Sequence, residues 1–288
     1  PTRPRWMAPL GRAKWPVTIG SCTLLSVVAG VPLANLAYKA GITVHSTETG
    51  RVRSWSLGAA VWQVVQAPVE HRRELGQSAL IGTLAATTAI AVGGILAWSM
   101  RAPRRWPVLR AAVVAACAVV PGPLLGIATI RLLNQPPDSP FAFLAWCYDR
   151  TLLAPWLVQT VRSLPVAVII LWPALASVPQ ATLDAAASEG ATWLRRLVFV
   201  ALPTRWGAIV AAWLLALAVS VGELAATVLV IPPGPTTASI RIFSLIHYGV
   251  DDRVAALCLV VVAAVALATT IGTWLALRPG SSLGDPTR

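Results

Sequence analysis

Apolar residues in this chain gather in six long blocks, separated by segments that carry nearly all of the charge. The blocks cover approximately residues 16–38, 79–100, 111–133, 151–173, 206–231 and 254–277. A helix needs about 17 to 25 mostly apolar residues to cross roughly 30 Å of hydrocarbon, and each block has about that length. The pattern predicts an all-α, polytopic membrane bundle of about six transmembrane helices. The blocks at 16–38, 79–100 and 254–277 are clean, whereas Arg162 and Pro165 interrupt 151–173.

Composition agrees. Of 288 residues, 56% are hydrophobic and 12% charged, and mean hydropathy is +0.70, outside the range of an ordinary soluble domain. Punctuation gives one membrane domain, 16–277, with an N-terminal tail at 1–15, a C-terminal tail at 278–288 and no separate soluble domain. The first block has a basic flank like a signal peptide, but it exceeds the usual 7 to 15 apolar residues, so it reads as a retained helix. The chain opens on Pro1 instead of Met, as a fragment or the later part of a longer polypeptide does.

The basic residues set an orientation. Arg3, Arg5, Arg12 and Lys14 precede the first block, and Arg101, Arg104, Arg105 and Arg110 fill the link between the second and third. Both segments read as cytoplasmic. Alternation then puts Arg195, Arg196 and Arg205 inside, with Arg278 and Arg288 in the C-terminal tail. Both termini are expected on the cytoplasmic side of the membrane. A net charge of +12 suggests nucleic acid in a soluble protein, but here the positive excess is topological and no basic domain stands apart to grip a duplex. Trp15, Trp98, Trp156, Trp172, Trp206 and Trp274 lie near predicted span ends, where an amphipathic ring prefers the headgroup layer.

Little else suggests chemistry. Cys22, Cys117, Cys147 and Cys258 are scattered without paired spacing, and His45, His71 and His247 read as solvated loop residues. No phosphate-binding loop, nucleophile elbow or zinc-protease helix is present, so no catalytic residue, metal or cofactor is expected.

The segment 177–203 is different. Ser177 and Gln180 fit a capping box that starts a helix near Val178, with Pro179 in its first turn. Ala181, Ala185, Ala186 and Ala187 favour helix with small side chains. Gly190 is placed to end it, Thr192 to cap a second short helix, and Pro203 to stop that one. From these residues alone the result is a surface hairpin that is either an ordinary amphipathic loop with no partner or a docking element whose small-residue face permits close approach. Trp193, Leu194, Leu197 and Phe199 are available to anchor its second arm.

This segment resembles a cytoplasmic motif of the permease subunits of binding-protein-dependent ABC importers: Glu-Ala-Ala, three residues, Gly, nine residues, Ile, one residue, Leu-Pro. The chain reads Asp184-Ala185-Ala186, Gly190, Val200 and Leu202-Pro203 with every spacing kept, and departs only by Asp for Glu and Val for Ile. The resemblance implies that the hairpin couples the membrane helices to a separate ATPase, that the chain is not itself an enzyme, and that it pairs with a second permease half. It also implies an extracytoplasmic binding protein that supplies substrate. Beyond the hairpin, Pro232-Pro233-Gly234, Arg241-Ile242 and His247-Tyr248-Gly249 look like the ferric iron and thiamine branch. That implies ferric iron as substrate, with thiamine or another small solute such as a polyamine as the alternative.

Two ionisable groups inside the blocks are candidates for the translocation path, because such groups are expensive in lipid. Counting about 1.5 Å per residue puts Glu223 roughly 21 to 26 Å from the inner end of its span and Arg162 roughly 17 Å from the outer end of its own. A direct pair then requires the arginine to reach outward along its helix. Glu223 reads either as a path-lining residue attractive to a cation or as a structural hydrogen-bond partner of Thr227 or of a neighbouring helix. An ion-coupled secondary transporter, with these two as coupling groups, is the competing reading of another class, and a non-transporting scaffold is a third. Against the former, the hairpin motif has no second copy in the chain.

Overall fold

The computed structural model describes residues 11–47, 50–101, 107–248 and 251–277. The tails at 1–10 and 278–288, with Arg3, Arg5, Arg104, Arg105, Arg278, Arg288 and Gly249, lie outside the described residues, as do the side chains of Arg12 and His45. The chain divides into two units, residues 1–70 with 248–260, and residues 71–247 with 261–288.

In the first unit a 3-10 turn (Gly11–Ala13) leads into α1 (Lys14–Ala40), which is apolar and almost wholly exposed. Lipid is the environment such a helix fits, since nothing among the described residues buries its most apolar stretch. An antiparallel pair follows, β1 (Ile42–Thr47) and β2 (Gly50–Trp55), in a register that sets Ile42 opposite Trp55. Trp55 stacks on Tyr38 at 6.3 Å and donates from Nε1 to the Tyr38 carbonyl, tying the pair to the end of α1. Helix α2 (Leu57–Glu70) closes this region, and Glu70 accepts from Arg253 at 2.8 Å.

The second unit is built around α3 (Arg72–Ser99), α7 (Leu153–Ala176) and α11 (Trp206–Gly222). Their facing surfaces are lined by small residues, including Ala85, Ala86, Ala89, Gly93 and Ala97 on α3 and Ala211, Ala212 and Ala216 on α11, all buried. Apolar helices gain little hydrophobic drive from meeting inside lipid, so close backbone approach through small side chains is what makes their contact favourable. Pro165 cannot donate a backbone hydrogen bond, yet α7 runs unbroken because Leu164, Pro165 and Val168 are buried among its neighbours.

Two expected spans are not continuous. The block 111–133 is split into α4 (Pro107–Val119) and α5 (Gly122–Leu133), which meet at 104°. Pro121, extended at ψ 140°, ends the first helix, and neither Pro121 nor Pro123 has an N–H to continue its hydrogen-bond ladder. The block 206–231 stops as α11 at Gly222, turns through Glu223, and resumes as the short α12 (Thr227–Val230). Helices α6 (Phe143–Arg150) and α13 (Ala238–His247) are short surface pieces, and α14 (Asp251–Leu277) is the last long apolar helix. Among the described residues four helices are long and apolar enough to cross a membrane, or up to six if each bent pair, 109–119 with 122–133 and 193–204 with 206–222, counts as one span.

Candidate functional site

The hairpin is made of α8 (Gln180–Ser188) and an arm formed by α9 (Trp193–Arg196), a π-helical turn (Leu197–Ala201) and α10 (Leu202–Thr204). Helix α8 starts at Gln180, two residues later than the capping-box reading. Ser177 Oγ donates back to the Ala174 carbonyl instead of forward, because Ser177 still belongs to the end of α7. The turn is closed by Gly190 at φ +81°, a conformation other residues adopt only with strain. Gly190 N donates to Ala187 O and Ala191 N to Ala186 O, the pair of bonds that closes a Schellman turn. Thr192 Oγ1 then accepts from Arg195 N and starts the arm.

The arm widens into its π-turn just before Pro203. Proline has no N–H for the Phe199 carbonyl, and Leu202 N bonds instead to Leu197 O, five residues back. Of the expected anchors only Leu197 is buried. Trp193 packs obliquely on Trp98 at 6.3 Å, while Leu194 and Phe199 face outward, Phe199 at 71% exposure. The widened turn places Leu197 and Ala201 on the inner face, and Val200 and Leu202 pack partly buried beside them.

The motif is therefore divided. Leu183, Leu197, Ala201, Val200 and Leu202 sit on a core formed with Ala97, Trp98, Leu171, Leu175, Val178 and Ala212. Asp184, Ala185, Ala187, Glu189, Gly190 and Pro203 are exposed, with Ala186 between the two classes. Asp184 is held by Gln180, whose Nε2 donates to Oδ1 at 2.8 Å, and Ser188 Oγ donates to the Asp184 carbonyl.

The second constellation lies inside the bundle. Arg162 and Glu223 meet directly, Nε to Oε2 at 3.1 Å. The arginine bridges the separation that residue counting implied, and it does more than pair: Nη1 donates to the Val120 carbonyl at 3.2 Å, left free where α4 breaks from α5. Glu223 Oε1 accepts from Ala226 N at 2.9 Å, at the entrance to α12, and the Glu223 backbone carbonyl accepts from Ser239 Oγ. Thr227 is not its partner; that hydroxyl accepts from Gln159 Nε2, and Ser220 Oγ donates to Gln159 Oε1. Ser163 Oγ donates to the Ala216 carbonyl, which completes the join between α7 and α11.

The backbone permits this junction because Gly122 has no Cβ. One added there would lie 2.8 Å from Ala225 Cβ and 3.2 Å from both Ala226 N and Glu223 Oε1. Gln159, Ser163, Ser220 and Thr227 are the members that sequence reasoning missed. Their signal was present as polar residues at spacings of three and four within apolar helices: 159, 162 and 163 on one, 220, 223 and 227 on the other.

The loop at 232–235 walls two open clefts, one of about 550 Å³ with Asp149–Leu152 and one of about 850 Å³ with Arg72, Arg73 and Glu74. Arg241 lies 3.7 Å from Glu74, and His247 is bonded through Nδ1 to the Phe243 carbonyl. His71 is not a solvated loop residue: it is 3% exposed at the start of α3, 4.0 Å from Glu74.

No family model matches the sequence. The chain is 27% identical over 206 residues to the putrescine transport system permease protein PotI of Escherichia coli K12, covering 71% of this chain and 72% of that one. It is 45% identical over 80 residues to the putative 2-aminoethylphosphonate transport system permease protein PhnV of Salmonella paratyphi A, spanning 28% of this chain and 30% of that protein. Its fold is similar to a chain of the inward-facing MetNI methionine ABC transporter, with TM-score 0.56, 18% identity, and 75% and 95% of the two chains covered. It is equally similar to a chain of a bacterial ABC transporter that imports alginate, with TM-score 0.56, 14% identity, and 90% and 94% covered. Its relatives in sequence are transport-system permease proteins, and its fold is similar to that of chains in solved ABC transporters.

Proposed function

We propose that the hairpin is the docking element for a separate ATPase, and that the chain works with a second permease half and an extracytoplasmic binding protein to import a short aliphatic amine. The observation that carries the docking reading is the divided motif. Asp184, Ala185 and Gly190 are presented on an exposed rim, while Val200 and Leu202 root the same element in the helix core. In this arrangement both termini are cytoplasmic, the hairpin faces the cytoplasm, and 16–277 acts as a single permease domain.

The amine assignment rests on the relatives. Putrescine and 2-aminoethylphosphonate share a primary ammonium on a short alkyl chain, and neither relative is an iron or thiamine system. Arg162 and Glu223 border the path as a lock on its wall. Glu223 is 8% exposed, and both carboxylate oxygens are already engaged, which argues against a bare site for a passing cation and against the ion-coupled reading.

Uptake of labelled putrescine and 2-aminoethylphosphonate by a strain lacking the gene, with ferric iron and thiamine in parallel, tests the substrate. A deficit in one of the amines, restored by the chain, supports the assignment; a deficit confined to iron or thiamine overturns it. Retention of the ATPase on the purified chain, lost on Asp184→Lys, tests the docking face, and retention by that variant overturns it.

A further inference from the structure

Where α7 hands over to the hairpin, its closing carbonyls need partners. Pro179 has no N–H for the regular bond onto Leu175 O, which takes a shorter-range bond from Val178 N at 3.3 Å and keeps a lone pair to spare. Arg101, two residues past the end of α3, supplies the further donors. Its Nη1 donates to Leu175 O at 2.6 Å and Ala176 O at 3.2 Å, and its Nη2 to Val178 O at 2.6 Å and Gln180 Oε1 at 3.2 Å. Arg205, at the join between α10 and α11, donates from Nη2 to the remaining Ser177 carbonyl at 2.9 Å. The guanidinium of Arg101 is braced over the Trp98 ring at 5.6 Å, and Trp98 in turn meets Trp193 of the arm.

We infer that Arg101 and Arg205 are positioning residues that clamp the hairpin to α3, α7 and α11, so that a push on the exposed rim reaches three membrane helices together. The line is continuous: α3, Arg101, Gln180, Asp184. A planar guanidinium suits the task because its fork serves several carbonyls at once, and a cation at the carboxyl end of α7 also meets the negative end of that helix. A lysine delivers one point charge and cannot span the same set. The inference rests on the docking reading above, which assigns the push to an ATPase.

The test uses the full chain with its ATPase and second permease half in lipid nanodiscs, with Cys22, Cys117, Cys147 and Cys258 replaced by serine. Spin labels at Glu189→Cys on the hairpin and Ile95→Cys on α3 report their separation with and without ATP and vanadate. The parent is expected to give one narrow distance, unchanged by nucleotide. Arg101→Ala is expected to broaden it and make it shift on trapping, while the ATPase stays bound; Arg101→Lys recovers only part of the narrowing. Gln180→Ala, which cuts only the last link, carries the same test with a smaller broadening if Arg101→Ala cannot be purified. A distance that stays narrow in Arg101→Ala combined with Arg205→Ala overturns the clamp. Absence of the ATPase from the parent complex overturns the docking reading, whatever the labels show.

Discussion

The turn at the tip of the hairpin and the buried junction both finish an interrupted helix, and they do it with opposite materials. At the hairpin, Gly190 and Thr192 close α8 and open α9 with bonds that span no more than five residues. At the junction, Arg162 satisfies one break from forty-two residues away at Val120 and another from sixty-one residues away at Glu223. At a surface, water completes what the backbone leaves unpaired, so local turn chemistry suffices. Inside an apolar bundle each free carbonyl or carboxylate costs several kcal/mol, so a distant side chain has to supply the partner. The first region should therefore tolerate substitution with local consequences, and the second should not.

Removing the carboxylate gives the largest effect. Glu223→Ala leaves the Arg162 charge without its carboxylate, with the Val120 carbonyl still in place, and Ala226 N without its acceptor. We expect a loss of about 2 to 3 kcal/mol, below the 3 to 5 kcal/mol of a fully buried pair because Arg162 is 29% exposed. Thermal unfolding of the purified chain in detergent measures it. Arg162→Met combined with Glu223→Leu should lose clearly less than the two single losses added, since neither charge is then stranded. Strict additivity would mean that the pair is not coupled and that the contrast with the hairpin fails.

Gly122→Val comes next, at about 1 to 3 kcal/mol, because an added side chain must displace Ala225 and the carboxylate together. Its check is specific: stability should fall, and Glu223→Ala should cost less in the Gly122→Val background than alone, the junction having already been opened.

These two regions also differ in how far the sequence announces them. Block lengths gave the bundle class, and the Gly190 and Thr192 positions gave the hairpin turns, because both follow from residues close together in the chain. The break at Pro121 was visible in a Pro-Gly-Pro run but was masked by the hydropathy around it. The start of α8 was misplaced because Ser177 fits a capping box on paper, while Arg101 had already claimed Gln180. Nothing local marks that claim. Arg162, Glu223 and Arg101 are individually conspicuous as charges at or within spans, but which backbone break each one serves depends on how the helices pack.

Gly190→Val carries the comparison to the surface. At φ +81° a β-branched side chain is strained by about 1 to 2 kcal/mol, and the nearby space is open, so the penalty is conformational and not steric. The base of the hairpin is rooted by Leu183, Leu197 and Ala201, so the bundle should keep its unfolding temperature within a few degrees while ATPase retention falls.

Thr192→Ala is the smallest step and the sharpest discriminator. Its cap bond is long, 3.4 Å to Arg195 N, and fully exposed, which puts the loss near the low end for caps, about 0.5 kcal/mol. Water replaces the hydroxyl as acceptor, so no buried group is orphaned and hydrogen exchange should quicken only over α9. If exchange instead quickens through α7 and α11, the hairpin and the junction are one cooperative unit, and the division between locally and distantly completed breaks does not hold. Exchange confined to 193–196 would place the boundary at Leu197, where the arm enters the core and its bonds come under the same low-dielectric discipline as those around Arg162.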